Sequence, residues 1–248
     1  MNGTVNEREL SYPIYIDLSM CNARGALYPT AYQRIIIETI GLHLEKIGLD
    51  SPRLTKAYGV AWVLLSMSVA LRRPIRVDDK LTMKTWSTHF ALPVCRREIA
   101  IYDEAGETVA VGAAFSSLLD MKTHRICMDK EMLGRFALPE GEALIESDRR
   151  FTERLPFTLV EERPVRPSWI DGLGHVNNER YGEFVYDALT PAERQNIGAL
   201  TRLDVWFRTE LAEGETFTVE RAESGSAVVV RGMIQPAQRE SFIMKLTF

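Results

Sequence analysis

The chain has 248 residues, of which 46% are hydrophobic and 26% are charged, and its formal net charge at pH 7 is −4. This composition is typical of a globular protein, and the length suits one large domain or two of about 120 residues each. Nucleic-acid-binding proteins usually carry a basic face, which a mildly acidic chain gives no reason to expect.

The cysteines, Cys21, Cys95 and Cys127, are odd in number and widely spaced. They therefore predict free thiols in a reducing cytoplasm and not a disulfide framework. The histidines show no ligand spacing, so no metal and no cofactor is expected. Charged residues at 7–9 argue against a secretory signal, and the longest apolar stretch, 59–71, is too short to span a bilayer comfortably. We expect a cytoplasmic protein without a membrane segment.

The first half predicts one long helix followed by antiparallel strands. A strand at 11–16 and a turn at 21–25 precede a helix from Pro29 to Ile47, whose apolar residues recur every three or four positions. Pro29 suits an early helical position, and Gly48 suits the end. Strands are predicted at 60–71, 81–86, 96–102 and 109–119, with a hairpin turn at 103–106.

The second half repeats this order after a charged segment at 122–155, which contains Pro139 and is the candidate linker. A strand at 157–166, a turn at 171–174 and a helix at 176–189 come first. Strands at 200–211, 216–221, 227–234 and 241–248 follow. The sequence therefore predicts an α+β protein, in which each half pairs an antiparallel sheet with a helix.

The two halves also align as a weak internal repeat. A shift of 149 residues places Asn22 on Asp171 and Ala26 on His175, and a shift of 135 places Arg73 on Arg208 and Ile75 on Glu210. Identity is sparse, so the matching order of elements is the stronger argument. If the halves are duplicates, only the second half retains polar side chains at these positions.

The densest polar stretch is Asp171-Gly-Leu-Gly174-His175-Val-Asn177-Asn178, at the predicted start of the second helix. His175 can act as a general base or a hydrogen-bond donor near neutral pH. Asp171 can orient it or position a water, and the two asparagines offer amide groups. Backbone N–H groups around Gly174 to Asn177 can polarise a carbonyl oxygen, in the manner of an oxyanion hole. The alternative is a helix cap beside a structural histidine, but a cap needs only one such residue.

Glu210 is the second candidate. Alternation along 204–210 predicts that Asp204, Trp206, Arg208 and Glu210 share one face of a strand, whose end can reach the helix start. The alternative is a solvated carboxylate paired with Arg208 or Arg202.

These residues resemble the hotdog-fold thioesterases. The run from Asp171 to Asn178, followed by Tyr181, resembles the signature of that fold, and the two-unit layout resembles the acyl-ACP thioesterases, over nearly the full chain. First-half segments that fit are Trp62, Arg73-Pro74, Asp78-Asp79-Lys80-Leu81, Thr85-Trp86, Arg96-Arg97-Glu98 and Ala114-Phe115-Ser116-Ser117-Leu118 with Asp120.

The resemblance implies a tandem (double) hotdog fold and hydrolysis of the thioester between a fatty acyl chain and the phosphopantetheine of acyl carrier protein. It implies that Asp171, His175 and Glu210 are catalytic, with Gly174, Asn177 and Asn178 binding substrate. Leu173 stands where the family often has Asn, and Leu211 stands where plant members have Cys, so a covalent Cys mechanism is not available. The mechanism that remains is attack on the thioester by a water molecule, assisted by Glu210 or Asp171.

The expected organisation is a catalytically silent unit at 1–125, a linker at 126–155 and a catalytic unit at 156–248. The expected partner is acyl carrier protein, with neither nucleic acid nor membrane, and a homodimer is possible. The alternatives are an acyl-CoA thioesterase of the same fold and a non-catalytic acyl-thioester-binding protein. A hotdog hydratase fits less well, because its pattern has one more residue between Asp and His.

Overall fold

The computed structural model describes residues 4–5, 8–91, 93–129, 131, 138 and 140–248, so Pro139 of the predicted linker lies outside it. The chain divides into two compact units. Unit 1 comprises Met1–Tyr15, Ile35–Met67 and Lys80–Arg149, and unit 2 comprises Ile16–Arg34, Ser68–Asp79 and Arg150–Phe248. The turn at 21–25 is therefore grouped with the second half, and the domain boundaries drawn from the sequence stay a prediction.

Unit 1 is an antiparallel sheet with the order β1-β2-β4-β5-β6-β3, to which β7 adds beside β6. The strands are β1 Thr4–Val5, β2 Glu9–Tyr15, β3 Val60–Leu71, β4 Lys80–Ala91, β5 Val94–Tyr102, β6 Thr108–Asp120 and β7 Arg125–Ile126. The helices are α1 Pro29–Lys46, which starts in unit 2, and α2 Ser51–Tyr58.

Unit 2 is an antiparallel sheet with the order β9-β12-β11-β10-β8. Its strands are β8 Thr158–Pro164, β9 Arg202–Phe207, β10 Thr216–Ser224, β11 Ala227–Gln235 and β12 Arg239–Thr247, and its helices are α3 Arg180–Asp187 and α4 Pro191–Gln195. Aromatic rings of α3 pack on the inner face of this sheet. The ring of Phe184 lies 5.1 Å from that of Phe217, and the ring of Tyr181 stacks 4.6 Å from that of Phe242.

The predicted α+β class is confirmed, and the structure corrects three of its details. The helix predicted at 176–189 begins only at Arg180, because the residues before it form a turn. Helices α2 and α4 were not predicted, although each has a start signal. Asp50 caps α2 by accepting the Arg53 N–H, and Thr190 with Glu193 forms a capping box at α4.

The second part of the predicted linker packs on the outer face of each sheet. In unit 1, the buried carboxylate of Glu98 accepts the Leu144 N–H (2.9 Å), and the Trp86 indole N–H donates to the Glu142 carbonyl (2.9 Å). In unit 2, the ring of Phe151 lies 5.2 Å from that of Trp206. These contacts leave the opposite, inner faces of both sheets to the helices.

Candidate active site

The polar stretch folds as a tight turn before α3. The Asp171 N–H donates to the His175 carbonyl (3.0 Å), and the Gly174 N–H donates to the Asp171 carbonyl (3.0 Å). Gly174 has a φ of +89°, a left-handed conformation that favours glycine. Its N–H is occupied inside the turn, so the contribution of Gly174 is conformational, and its N–H is not available to bind substrate.

Two contacts tie this turn to the segment that follows β9. The Val176 N–H donates to the Leu211 carbonyl (2.8 Å), and His175 forms an antiparallel bridge with Ala212. The residue before Leu211 is Glu210, so its side chain is brought to the turn by backbone pairing.

The imidazole of His175 lies between two carboxylates. Its Nε2 is 3.6 Å from Glu210 Oε1, and its Nδ1 is 4.0 Å from Asp171 Oδ1. The His175 side chain is 18% exposed, whereas that of Glu210 is 51% exposed. Nδ1 is buried and has no hydrogen-bond partner in the described part of the chain. The structure thus brings all three predicted catalytic residues together, with Glu210 the more accessible carboxylate.

The route by which Glu210 reaches the site differs from the predicted one. Strand β9 ends at Phe207, and the N–H groups of Arg208 and Thr209 both point to the Ser241 carbonyl, at 2.8 and 3.3 Å. Two consecutive donors on one acceptor mark a bulge, which breaks the alternation. The predicted shared face of 204–210 is therefore wrong beyond Phe207.

The predicted arginine partners of Glu210 are engaged elsewhere. Arg202 Nε lies 2.8 Å from Asp204 Oδ2, and Arg208 Nε lies 3.4 Å from Glu240 Oε1. Within the described residues, the Glu210 carboxylate lies nearest to the imidazole of His175.

The two asparagines shape the start of α3. Asn177 Oδ1 accepts the Glu179 N–H (2.9 Å), which is the role of a capping side chain. The Asn178 carbonyl accepts a hydrogen bond from Gln33 Nε2 (3.0 Å). The capping alternative therefore holds for Asn177, while the imidazole–carboxylate pair lies outside that explanation.

The first half contains the same turn. The Asn22 N–H donates to the Ala26 carbonyl (2.8 Å), and the Gly25 N–H donates to the Asn22 carbonyl (2.8 Å). These are the bonds made by the residues 149 positions later, so the structure supports the first shift of the repeat.

The second shift is 136 residues and not 135. Ala26 bridges Arg76 as His175 bridges Ala212, and the N–H groups of Arg76 and Ala212 each bind a carboxylate three residues further on. Under this shift Ile75 matches Leu211, and both are buried, at 1% and 0% exposure. The counterpart of Glu210 is therefore Pro74, which carries no charge.

Two backbone N–H groups distinguish the turns. The Ala26 N–H donates to Asn22 Oδ1 (3.1 Å), whereas the N–H of His175 has no acceptor within the described residues. The counterpart of Asn178 is Pro29, which has no N–H at all. The N–H of Asn178 likewise has no acceptor among the residues that the structure describes. The second turn thus presents two donors that the first one lacks.

Residues at the start of α1 also contact this turn, and the sequence did not reveal them. Thr30 Oγ1 donates to the Glu179 carbonyl (2.6 Å), one residue beyond the bond that Gln33 makes. Gln33 is fully buried, and its Oε1 has no donor within the described chain. The starts of α1 and α3 come into contact at Gly182. A single glycine inside a predicted helix was the sequence signal for this close approach.

Buried aromatic residues pack against Tyr181, which follows the turn in α3. The ring of Tyr181 lies 4.6 Å from that of Phe242 and 5.8 Å from that of Phe207. Burial raises the pKa of Tyr181 to about 12, so its hydroxyl stays protonated at neutral pH.

Comparison with known proteins agrees with this geometry. Residues 11–134 match the acyl-ACP thioesterase N-terminal domain, and residues 154–244 match the acyl-ACP thioesterase C-terminal domain. The chain belongs to the acyl-ACP thioesterase family. It is thus a thioester hydrolase, and the reaction of the family is hydrolysis of fatty acyl-ACP to free fatty acid and holo-ACP.

Solved structures of this family share the double hotdog fold of the chain. An acyl-ACP thioesterase from Bacteroides thetaiotaomicron has a TM-score of 0.83 at 17% identity, with 97% of each chain covered. The 12:0-ACP thioesterase from Umbellularia californica has a TM-score of 0.84 at 14% identity, with 99% of this chain and 98% of that one covered. No match was found among curated protein sequences. The predicted tandem hotdog fold is therefore confirmed.

The structure also bears on membrane association. Within the described residues, no helix combines the length and the apolar character that are needed to cross a bilayer.

A pair of glycine substitutions tests the contact between the helix starts. A Cβ at Gly182 would lie 2.4 Å from the Thr30 backbone N, whereas a Cβ at Gly41, inside α1, meets nothing within 4 Å. We expect Gly182→Ala to lower the free energy of unfolding by about 1–3 kcal/mol through overpacking. Gly41→Ala should raise it by about 0.5–1 kcal/mol through helix propensity. Denaturant unfolding measures both, and equal effects would contradict the close approach at Gly182.

Proposed function

We propose that this chain hydrolyses fatty acyl-ACP with Glu210 as the general base, His175 as the group that binds the thioester carbonyl and Asp171 as the residue that positions His175. The observation that carries the proposal is the 3.6 Å separation between His175 Nε2 and Glu210 Oε1. A water molecule beside this pair can hydrogen-bond to both Nε2 and Oε1.

The geometry favours Glu210 over Asp171 as the base. Asp171 Oδ1 already accepts the Leu173 N–H (2.8 Å), so this carboxylate helps to build the turn. The Glu210 side chain is 51% exposed, so its carboxylate is accessible to water. Asp171 then acts through His175, and its removal changes the orientation of the imidazole.

The proposed reaction requires no covalent intermediate on the protein. Glu210 takes a proton from water while the water oxygen bonds to the thioester carbonyl carbon. The resulting oxyanion collapses, the carbon–sulfur bond breaks, and the proton passes to the phosphopantetheine sulfur. Leu211 is fully buried and apolar, so the residue after Glu210 supplies no nucleophile.

We further propose that the N–H groups of His175 and Asn178 bind the developing oxyanion, together with the His175 side chain. Both N–H groups lack an acceptor within the described residues, whereas in the first half the Ala26 N–H is bonded to Asn22 and Pro29 has no N–H. Donors that are fixed in place before the reaction stabilise an oxyanion strongly. Leu173, which is 57% exposed, offers no polar side chain where the family often has Asn.

The remaining assignments extend the proposal. The first half, 1–125, is a silent copy joined through 126–155 to the catalytic copy at 156–248. The protein works in the cytoplasm on carrier-bound acyl chains, and it can form a homodimer. Asn177 and Asn178 line the substrate end of the turn.

The carrier preference is tested with matched substrates. We expect turnover, followed by thiol release, to be higher with acyl-ACP than with acyl-CoA across saturated chains of increasing length. Equal or higher turnover of acyl-CoA would identify the chain as an acyl-CoA thioesterase of the same fold. Binding of acyl-ACP without thiol release above background would identify a non-catalytic acyl-binding protein.

The catalytic base is tested by Glu210→Gln. We expect kcat on acyl-ACP to fall by about 10²–10⁴-fold, the contribution of a positioned base, with the free energy of unfolding unchanged. Glu213→Gln is the matched control, because Glu213 is exposed and lies three residues further along the chain. Retention of full turnover by both Glu210→Gln and Asp171→Asn would contradict the carboxylate roles.

The oxyanion donors are tested by Asn178→Pro. Proline occupies the equivalent position 29 at the start of α1, so the backbone there accommodates it. The substitution removes one N–H and leaves the carbonyl that Gln33 binds. We expect kcat to fall by about 10²–10³-fold, the contribution of one such donor. Asn178→Ala, which keeps the N–H, is the control, and equal loss in both variants would contradict the role of the N–H.

A further inference from the structure

The inner face of the unit 1 sheet contains a buried arginine that has no carboxylate partner among the described residues. Arg97 on β5 is 4% exposed, and its Nη2 lies 2.5 Å from Nδ1 of His43 on α1, which is fully buried. Its neighbours across the sheet are Ser87 on β4 and Ala114 on β6. All of these residues belong to unit 1.

Arg97 retains hydrogen-bonding capacity that the described part of the chain does not use. Its Nε and Nη1 have no acceptor among the described residues. Thr85, two residues before Ser87 on β4 and therefore on the same face, has a buried hydroxyl that is also without a partner in that part of the chain. Three polar atoms without partners therefore lie on one inner surface.

The nearest carboxylate along the strand is not available to Arg97. Glu98 points to the outer face, where its Oε1 lies 2.5 Å from Arg96 Nε and its Oε2 accepts the Leu144 N–H. Successive residues of a strand point to opposite faces, so the sheet separates the two groups.

The guanidinium remains charged in this setting. Burial lowers the pKa of Arg97 to about 10, which still leaves it cationic at neutral pH. A buried charge without a partner is strongly destabilising, and buried charges in proteins are normally paired. Within the described residues, the positive charge on this inner surface has no compensating carboxylate.

We propose that the inner face of unit 1 binds a carboxylate through Arg97, with the hydroxyl of Thr85 as a second donor. A single positive charge matches a monoanion, whereas a phosphate dianion would need further cations in the same buried setting. Arg97 supplies N–H donors at Nε and Nη1, and a carboxylate supplies acceptors only.

The carboxylate that we propose as the ligand has two sources. One is a fatty acid, which the thioesterase reaction releases as a carboxylate with an apolar tail. The other is a small carboxylate from solution. The first source rests on the proposed function, whereas the site itself does not.

The test measures binding by thermal unfolding and calorimetric titration with octanoate, acetate and octanol. We expect octanoate to raise the Tm of the wild-type protein by about 5–10 °C at roughly a hundred times its Kd, and octanol, which has no charge, to raise it far less. An equal rise with acetate identifies small carboxylates as the source. A rise with octanoate alone identifies the fatty acid.

Substitutions test whether Arg97 is responsible for the rise in Tm with octanoate. Arg97→Met should keep or raise the Tm without ligand and abolish the octanoate shift, while Arg125→Met, the same change at an exposed position of unit 1, should leave the shift intact. Should Arg97→Met not fold, Thr85→Val takes its place, with a reduced shift expected.

Three results would overturn the proposal. They are no carboxylate shift in the wild-type protein, an undiminished shift in Arg97→Met, and an undiminished shift in Thr85→Val. The readout is binding and not turnover, so a failure of the catalytic roles of Glu210 and His175 leaves it unchanged.

Discussion

The backbone pairing between the turn and the segment after β9 holds the site together. The hydrogen bond from the Val176 N–H to the Leu211 carbonyl fixes the register of the two segments. That register places His175 opposite Ala212 and within 3.6 Å of the Glu210 carboxylate. A shift of one residue in this pairing would turn Glu210 away from the imidazole, because neighbouring side chains in extended chain point in opposite directions. The position of the carboxylate is thus a consequence of main-chain geometry.

The same pairing is present in the first half without the chemistry. Ala26 bridges Arg76 and the Asn22 turn closes in the same way, yet the side chains there are a methyl group and, at the position of Glu210, a proline ring. The pairing is therefore a property of the fold, and the groups that we propose as catalytic are additions to it. The first half nevertheless contributes to the site through the two hydrogen bonds from Thr30 and Gln33 to the start of α3.

Local sequence signals predicted the strands and the long helix, since these depend on periodicity and on residues such as Pro29 and Gly48. The side chains of the site were also predictable, because the residues from Asp171 to Asn178 are contiguous. The register of the repeat was predicted one residue out, because a sparse identity match cannot locate a change of one position. The bulge at Arg208 and Thr209 was not predictable either, since it is defined by the Ser241 carbonyl on another strand.

The contact of Gln33 with the turn shows what lies beyond sequence reasoning. Gln33 and Asn178 are separated by 145 residues, and a glutamine on an apolar helix stripe has no local mark of function. What distinguishes it is a buried carbonyl oxygen without a donor in the described chain. Such an atom costs about 1–3 kcal/mol, against a total stability of about 5–15 kcal/mol for a typical protein. His175 Nδ1, in the turn before α3, shares this property. The buried Glu98 carboxylate, in contrast, accepts hydrogen bonds from Thr88, Arg96 and Leu144. Among the described residues of unit 2, the buried side-chain atoms without a partner are Gln33 Oε1, His175 Nδ1, Arg221 Nε and Ser241 Oγ. The first two lie at or beside the turn where we propose that the thioester binds.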